Sequence, residues 1–177
     1  PDNSLSMIFH NIVSFNAHKN KCAADFGFRK CDMIMLVECH INITRISDFQ
    51  ATIAEFRRHG YQVLNYYGTK ESSAAHGQVC LVRESIMERF TFVRSHKVVH
   101  NSHIYPNPSI RDLEMSIVTY QDVIDQIFIC YVYKHPSMKR GDFLNEFDQF
   151  LRESMAERHN VKFGLGICVL SLPHIQL

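Results

Sequence analysis

Between Met7 and His40 the chain reads MIFHNIVSFNAHKNKCAADFGFRKCDMIMLVECH, a strand, helix and strand in which each strand ends on one polar side chain. No other stretch restricts the fold as much. Met7, Phe9 and Asn11 alternate onto one face of the first strand, and Glu38 closes the apolar run Met33, Ile34, Met35, Leu36, Val37. Laid side by side, the two strands bring an amide and a carboxylate to one edge of a sheet. A lone carboxylate at the end of so apolar a run is costly to desolvate, and a metal ion is one partner that offsets the cost. On spacing alone, a glutamate that points into solvent where its strand stops is the plainer account.

Composition sets the outer bounds. A chain of 177 residues, 46% hydrophobic and 21% charged, buries one substantial core and has none of the character of a disordered segment. A single domain over 1–177 is expected. A net charge of +1 does not steer a charged partner, so nucleic-acid contact has to rest on local basic patches. The six cysteines, Cys22, Cys31, Cys39, Cys80, Cys130 and Cys168, form no C-x-x-C pair and several sit in apolar strand patterns. They read as buried free thiols of an intracellular protein, nuclear or cytoplasmic and not secreted, rather than as a disulfide framework or a zinc site. No apolar run reaches membrane-spanning length, so no membrane partner is expected.

Strand and helix patterns alternate along the rest of the chain, which favours an α/β or α+β fold. One helix is predicted over 17–31, with Gly27 a weak point in its middle. A second begins at Ser47 as N-cap with Gln50 three residues on, buries Phe49, Ile53 and Phe56, and stops at Gly60. Tyr61 to Tyr67 and Gln78 to Arg83 form a hairpin across a polar loop. Residues 90–99 form a strand, and two prolines make a loop of His100 to Asp112. Leu113 to Tyr120 alternates, with Leu113, Met115 and Ile117 on one face, and Ile127 to Tyr133 reads as a strand buried on both faces. After the basic loop Lys134 to Gly141, Asp142 caps a helix to about Arg158 with Phe143, Phe147, Phe150, Leu151 and Met155 as its buried stripe. One more strand closes the chain.

Six pieces then stand in a familiar order: FHNI, LVECH, HGQVCLV, LEMSIV, ICYVYKHPS and DFLNEFDQFL. In order and spacing they resemble the endonuclease/exonuclease/phosphatase superfamily, most nearly the endonuclease domains of non-LTR retrotransposons and of Helitron-like or helicase-associated mobile elements. The resemblance covers Ser6 to about Phe163. It implies a DNase I-like, four-layered sandwich of two sheets with outer helices and a Mg²⁺-dependent phosphodiester cleavage site, Mn²⁺ being the alternative ion. Carried over by position, Glu38 resembles the principal metal ligand and Asn11 the asparagine that organises the metal and its waters. Tyr133 resembles the tyrosine that contacts the scissile phosphate, and Lys134, Lys139 and Arg140 would hold the flanking backbone of a nucleic acid, DNA being expected.

Plainer readings stand beside these. Tyr133 shares a strand face with Tyr131 and can be a core tyrosine, and KHPSMKR can be a solvated turn. His76 reads as a loop residue, His10 and His40 as structural neighbours of the site. Glu114 matches a glutamate common in these relatives, although a strand glutamate facing water accounts for it equally well. The lone G-x-G at Gly164 to Gly166 carries nothing.

The chain departs from the family after Phe163. Where relatives carry G-D-F-N, this sequence has NVKFGLGICVL, so Leu165 to Ile167 or Ile167 to Val169 stands in place of the acidic and amide residues. The later S-D-H segment has no counterpart, because SLPH lacks the aspartate and comes too early. The sequence therefore predicts a partial domain without its C-terminal strands, whose hydrolysis is impaired, or an inactive remnant that serves as a binding module. Self-association through an exposed sheet edge is expected to follow.

Overall fold

The structure, a computed structural model, describes residues 4–68, 77–98, 113–123, 126–136, 138–156 and 166–171. The polar loop holding His76, the proline-containing loop at 100–112, the helix end at Arg158, Gly164 and the SLPH histidine, His174, lie outside those residues. The chain divides into two compact units, Pro1–Glu88 and Arg89–Leu177, and each contains one four-stranded sheet.

In the first unit β1 (Met7–Asn11), β2 (Met33–Val37), β3 (Tyr61–Tyr67) and β4 (Gln78–Arg83) lie in the order β1-β2-β4-β3. β1 and β2 are parallel, Met7 against Met33 through to Asn11 against Val37, and the other pairs are antiparallel. A parallel pair needs a crossover, which the intervening helical segment provides. That segment is two helices rather than the predicted one, α1 (Phe15–Ala24) and α2 (Phe26–Lys30). The break falls at Asp25, which is extended (φ −66°, ψ 126°) and whose carboxylate accepts the N–H of Gly27 at 2.6 Å and of Phe28 at 3.4 Å. Aspartate competes with the helix backbone in mid-helix and favours starting a new one. Asp25→Ala is expected to lower stability by about 1 kcal/mol in urea unfolding.

The helix α3 (Ile46–Arg58) starts differently from the expectation. Ser47 lies inside it, and the chain enters through a 3-10 turn at Ile43–Arg45. Asn42 begins that turn by accepting the Thr44 N–H at 2.8 Å and hydroxyl at 2.6 Å, so an asparagine turn displaces the serine cap. The stop is as predicted: Gly60 has φ 77° and its N–H donates to the Arg57 carbonyl at 3.0 Å. Phe49, Ile53 and Phe56 pack with Phe15, Ile34, Leu36, Val79 and Leu81 in one core. The opposite face of the sheet, with Met33, Met35, Val37, Cys80 and Val82, is fully buried as well.

The second unit holds β5 (Phe90–Val98), β6 (Leu113–Gln121), β7 (Gln126–Lys134), α4 (Arg140–Ala156) and β8 (Gly166–Ser171), with sheet order β5-β6-β7-β8. β8 runs parallel to β7 and the rest is antiparallel. Leu113, Met115 and Ile117 share a core with Cys130, Val132, Phe143 and Phe150. The other face of β6 is not the solvent face its alternation implies: Glu114, Ser116, Val118 and Tyr120 are all buried. The reading of Glu114 as a glutamate facing water is thereby corrected.

Helix α4 begins at Arg140, so Asp142 lies in its first turn instead of capping it. Met155, assigned to the buried stripe, is 38% exposed, while Ser154 is fully buried with its hydroxyl donating to the Phe150 carbonyl at 2.6 Å. At 3.6 residues per turn the stripe through Phe143, Phe147 and Phe150 continues to 154, and Met155 is rotated away from it.

Cys22, Cys39, Cys80 and Cys130 are buried free thiols and Cys31 is partly buried, in line with the sequence. Complete burial drives the Cys80 thiol far above its ordinary value. Among the described residues no helix is long and apolar enough to cross a membrane. The whole is a mixed α/β fold of two sheets with helices, the class the sequence predicts.

Candidate metal-binding edge

At one end of the first sheet β1 and β2 finish and β4 begins. Asn11 pairs with Val37, and Glu38 is the next residue. Here the backbone takes an expensive path, with Val13 (φ 44°), Ser14 (φ 83°), Glu38 (φ 53°) and His40 (φ 52°) all in the left-handed region. None is a glycine, and Val13 is β-branched, for which that region is a true outlier. Such strain persists only where neighbours over-determine it, and it collects at functional sites.

The neighbours are on hand. Ile12 N–H donates to the Val37 carbonyl at 3.1 Å, Ser14 N–H to Glu38 at 2.8 Å and Phe15 N–H to Cys39 at 2.9 Å, while Cys39 N–H donates to Gly77 at 2.9 Å. The two strands thus stay bonded past their regular ends. Ile12, Phe15, Cys39 and Ile41 are buried and anchor the crossing, which leaves Val13 and His40 exposed and Asn11 and Glu38 partly so. The Asn11 side-chain oxygen accepts the Val13 N–H at 3.3 Å, which ties the amide to the strained turn.

Two glycines let the other strands close on this edge. A Cβ at Gly68 would lie 2.6 Å from the Ile41 carbonyl oxygen, and one at Gly77 (φ 112°) would lie 2.8 Å from that of Tyr67. Gly68→Ala is expected to cost about 1–3 kcal/mol in thermal or urea unfolding, since a backbone carbonyl has to move. Gln78 follows Gly77, pairs with Tyr67 and has no exposed surface. Sequence reasoning passed over Gln78, although its place was a signal: a polar residue at the end of an apolar strand, as at Asn11 and Glu38.

The donors at this edge are hard oxygens. Among the described residues no three His, Cys, Asp or Glu side chains gather to hold a metal, which argues against a zinc cage built from described residues. Glu38 and Asn11 offer hard oxygen donors, and Mg²⁺ commonly takes one or two carboxylates while keeping several waters. The Asn11 oxygen, with one bond from Val13, keeps a second lone pair. Burial pushes the His40 imidazole below the ordinary histidine value, and the Glu38 charge acts in the opposite sense. His10 packs edge-on against Phe28, with centroids 5.7 Å apart, a structural contact.

The remaining sequence-predicted residues belong to the second unit. Tyr133, 2% exposed, sits near the end of β7, opposite Glu114 on β6 and Ser171 on β8. Lys134 is partly buried and its Nζ donates to the His135 carbonyl at 3.2 Å. Lys139 and Arg140 are exposed at the start of α4, and Met138, 4% exposed, pins the connection. The basic loop is shorter than predicted, because β7 runs through Lys134 and α4 starts at Arg140. Ile167 to Val169 lies inside β8, and Ile167 near its beginning, so neither sequence register reaches the strand end beside Tyr133. The segment following that end, 172–177, contains no carboxylate and lies outside the described residues.

No family model and no curated protein sequence matches the chain. Solved structures do. ANGEL2, a 2′,3′-cyclic phosphatase in complex with adenosine-2′,3′-vanadate, is 14% identical over 94% of this chain and 52% of its own, with a TM-score of 0.56. An endonuclease/exonuclease/phosphatase family protein from Bacteroides thetaiotaomicron is 9% identical over 94% and 62%, with a TM-score of 0.56. The human Nocturnin catalytic domain with bound sulfate is 11% identical over 90% and 62%, with a TM-score of 0.50. This chain thus spans between half and two-thirds of each, and what it shares with them is a DNase I-like α/β fold.

Proposed function

We propose that this chain carries the metal-binding half of a phosphodiesterase site that acts on nucleic acid, DNA being the expected substrate. The observation that carries the reading is the strained edge of a DNase I-like fold, where Asn11 ends one strand and Glu38 follows the last residue of the adjacent parallel strand. Glu38 and Asn11 would hold Mg²⁺, or Mn²⁺ in its place. A bound ion there neutralises charge that develops on a phosphate in the transition state. The turn bonds around Val13, Ser14 and Cys39 hold the backbone that carries both donors, and the Asn11 amide is tied to it by the Val13 N–H.

Tyr133 enters through the family likeness, as a phenol that donates a hydrogen bond to a phosphate oxygen. Lys134, Lys139 and Arg140 would contact the flanking backbone, and the N-terminal end of α4 adds its own partial positive charge near the last two. If they do, Lys139→Ala with Arg140→Ala lowers the salt dependence of oligonucleotide binding by about 0.9 in log–log slope per charge removed, measured by fluorescence anisotropy. The likeness to mobile-element endonucleases supports DNA as the substrate and such an origin for the chain.

Hydrolysis by this chain is slow in the same reading. Where the resembled family carries G-D-F-N, the stretch NVKFGLGICVL has no carboxylate, and groups that act as a unit lose most of their effect when one is missing. That observation also favours a second reading, an inactive remnant that binds without cutting. Supercoiled-plasmid nicking in Mg²⁺ separates them, with EDTA and Glu38→Ala as controls. Nicking above the Glu38→Ala background supports the hydrolase, and equality with that background overturns it in favour of the remnant.

A further inference from the structure

Four polar residues of the second sheet share one row. Lys97 on β5, Glu114 on β6, Tyr133 on β7 and Ser171 on β8 occupy matching register positions across all four strands. Residues directly opposite in an antiparallel pair present their side chains on the same face with Cβ atoms about 4.5–5.5 Å apart. Lys97, Glu114 and Tyr133 are therefore consecutive neighbours on one face. It is the face that Leu113, Met115 and Ile117 do not use, since those three pack with Phe143 and Phe150 of α4.

Glu114 has no exposed surface and Tyr133 has 2%. A carboxylate so placed is strongly destabilising unless donors around it are close and well aimed. Among the described residues of this sheet, the next row holds Ser95, Ser116 and Tyr131, and Val118 and Ile129 beyond them are apolar. On the β5 side the exposed Lys97 is the register partner of Glu114; desolvation pushes its ammonium below the ordinary lysine range while the Glu114 charge acts in the opposite sense. On the β7 side stands the Tyr133 phenol, which has one proton to give.

We propose that Glu114 is a positioning residue for Tyr133: its carboxylate, steadied by Lys97, accepts the phenol's hydrogen bond until a phosphate oxygen takes that bond over. The row then has two states. Without a ligand the phenol is held in the sheet by Glu114, and an arriving phosphate competes with a carboxylate for one proton. The second state rests on the phosphate role given to Tyr133 above, whereas the first needs no activity at all.

The test leaves Glu114 in place and changes its neighbours, so the buried charge is never stranded by its own removal. The Glu114 side-chain carboxyl ¹³C resonance is assigned through bonds in the unsubstituted chain and followed in Tyr133→Phe and Lys97→Met. Both variants are expected to shift that line beyond its own width, and Tyr131→Phe to shift it less. A Glu114 line that stays in place in Tyr133→Phe overturns the proposal, because a carboxylate satisfied elsewhere does not sense the phenol. A line unmoved in Lys97→Met overturns the part given to Lys97. Adding a single-stranded oligodeoxynucleotide in EDTA reads the second state: the line is expected to move in the unsubstituted chain and to stay in Tyr133→Phe. If Tyr133→Phe shifts the line and the oligonucleotide does not, the phosphate role of Tyr133 falls while the link to Glu114 stands.

Discussion

Glu38→Gly is expected to be more stable than Glu38→Ala by about 1–2 kcal/mol, with metal binding lost in both. The backbone at 38 has φ 53°, a conformation in which a Cβ crowds the chain and glycine does not. Both substitutions remove the carboxylate, and only glycine removes the strain. The pair therefore separates what Glu38 does for the fold from what it does for the ion. In the unsubstituted chain Mg²⁺ at a hundred times its dissociation constant is expected to raise stability by about 2.7 kcal/mol through mass action, and neither variant is expected to respond. Any nicking falls in both by the metal's contribution to the transition state, several kcal/mol or on the order of a thousandfold in rate. Thermal unfolding with and without Mg²⁺ reads the first two effects on one instrument.

Phe150→Ala is expected to cost about 3–5 kcal/mol, a large part of the roughly 5–15 kcal/mol that holds a domain together. Its ring is 1% exposed and lies in the core that α4 forms with β6 and β7. It also organises the contact of α4 with β5. The His96 ring stacks on it with centroids 5.7 Å apart, and the Arg94 guanidinium lies 5.4 Å from its centre. The same two side chains reach α4 a second time, Arg94 to Glu153 at 3.0 Å and His96 to Glu146 at 3.2 Å. These partly exposed pairs contribute little by themselves, so the ring carries most of the attachment. Met155→Ala, on the exposed side of the helix, is expected to change stability by about 0.5 kcal/mol or less. Urea unfolding of the two variants distinguishes a stripe that ends at Ser154 from one that ends at Met155.

The sheets were legible because burial writes a period into the sequence. Apolar runs at 33–37 and 127–133 marked strands, and Gly60 marked a helix stop that the structure places at the same residue. What stayed hidden depends on partners remote along the chain. No local signal marks Val13, Ser14, Glu38 and His40 as left-handed, because bonds to Val37, Glu38, Cys39 and Gly77 impose that path on residues with no preference for it. Ser47 fell inside α3 because the turn that Asn42 opens carries the chain straight into the helix at Ile46. Glu114 and Ser116 looked like a solvent face, since alternation cannot tell water from a second buried layer. Gln78 did carry a signal, a polar residue at the end of an apolar strand, and was passed over. At the candidate site the residue types were legible and the geometry that aims them was not.

Line broadening by substoichiometric Mn²⁺ in an amide NMR spectrum bears most directly on the claim that Asn11 and Glu38 form a metal-binding edge. The expected result is selective loss of the amide signals of Asn11 to Ser14, Glu38 to His40 and Gly77 to Gln78, abolished in Glu38→Ala. Broadening that spares those residues, or that persists unchanged in Glu38→Ala, contradicts it.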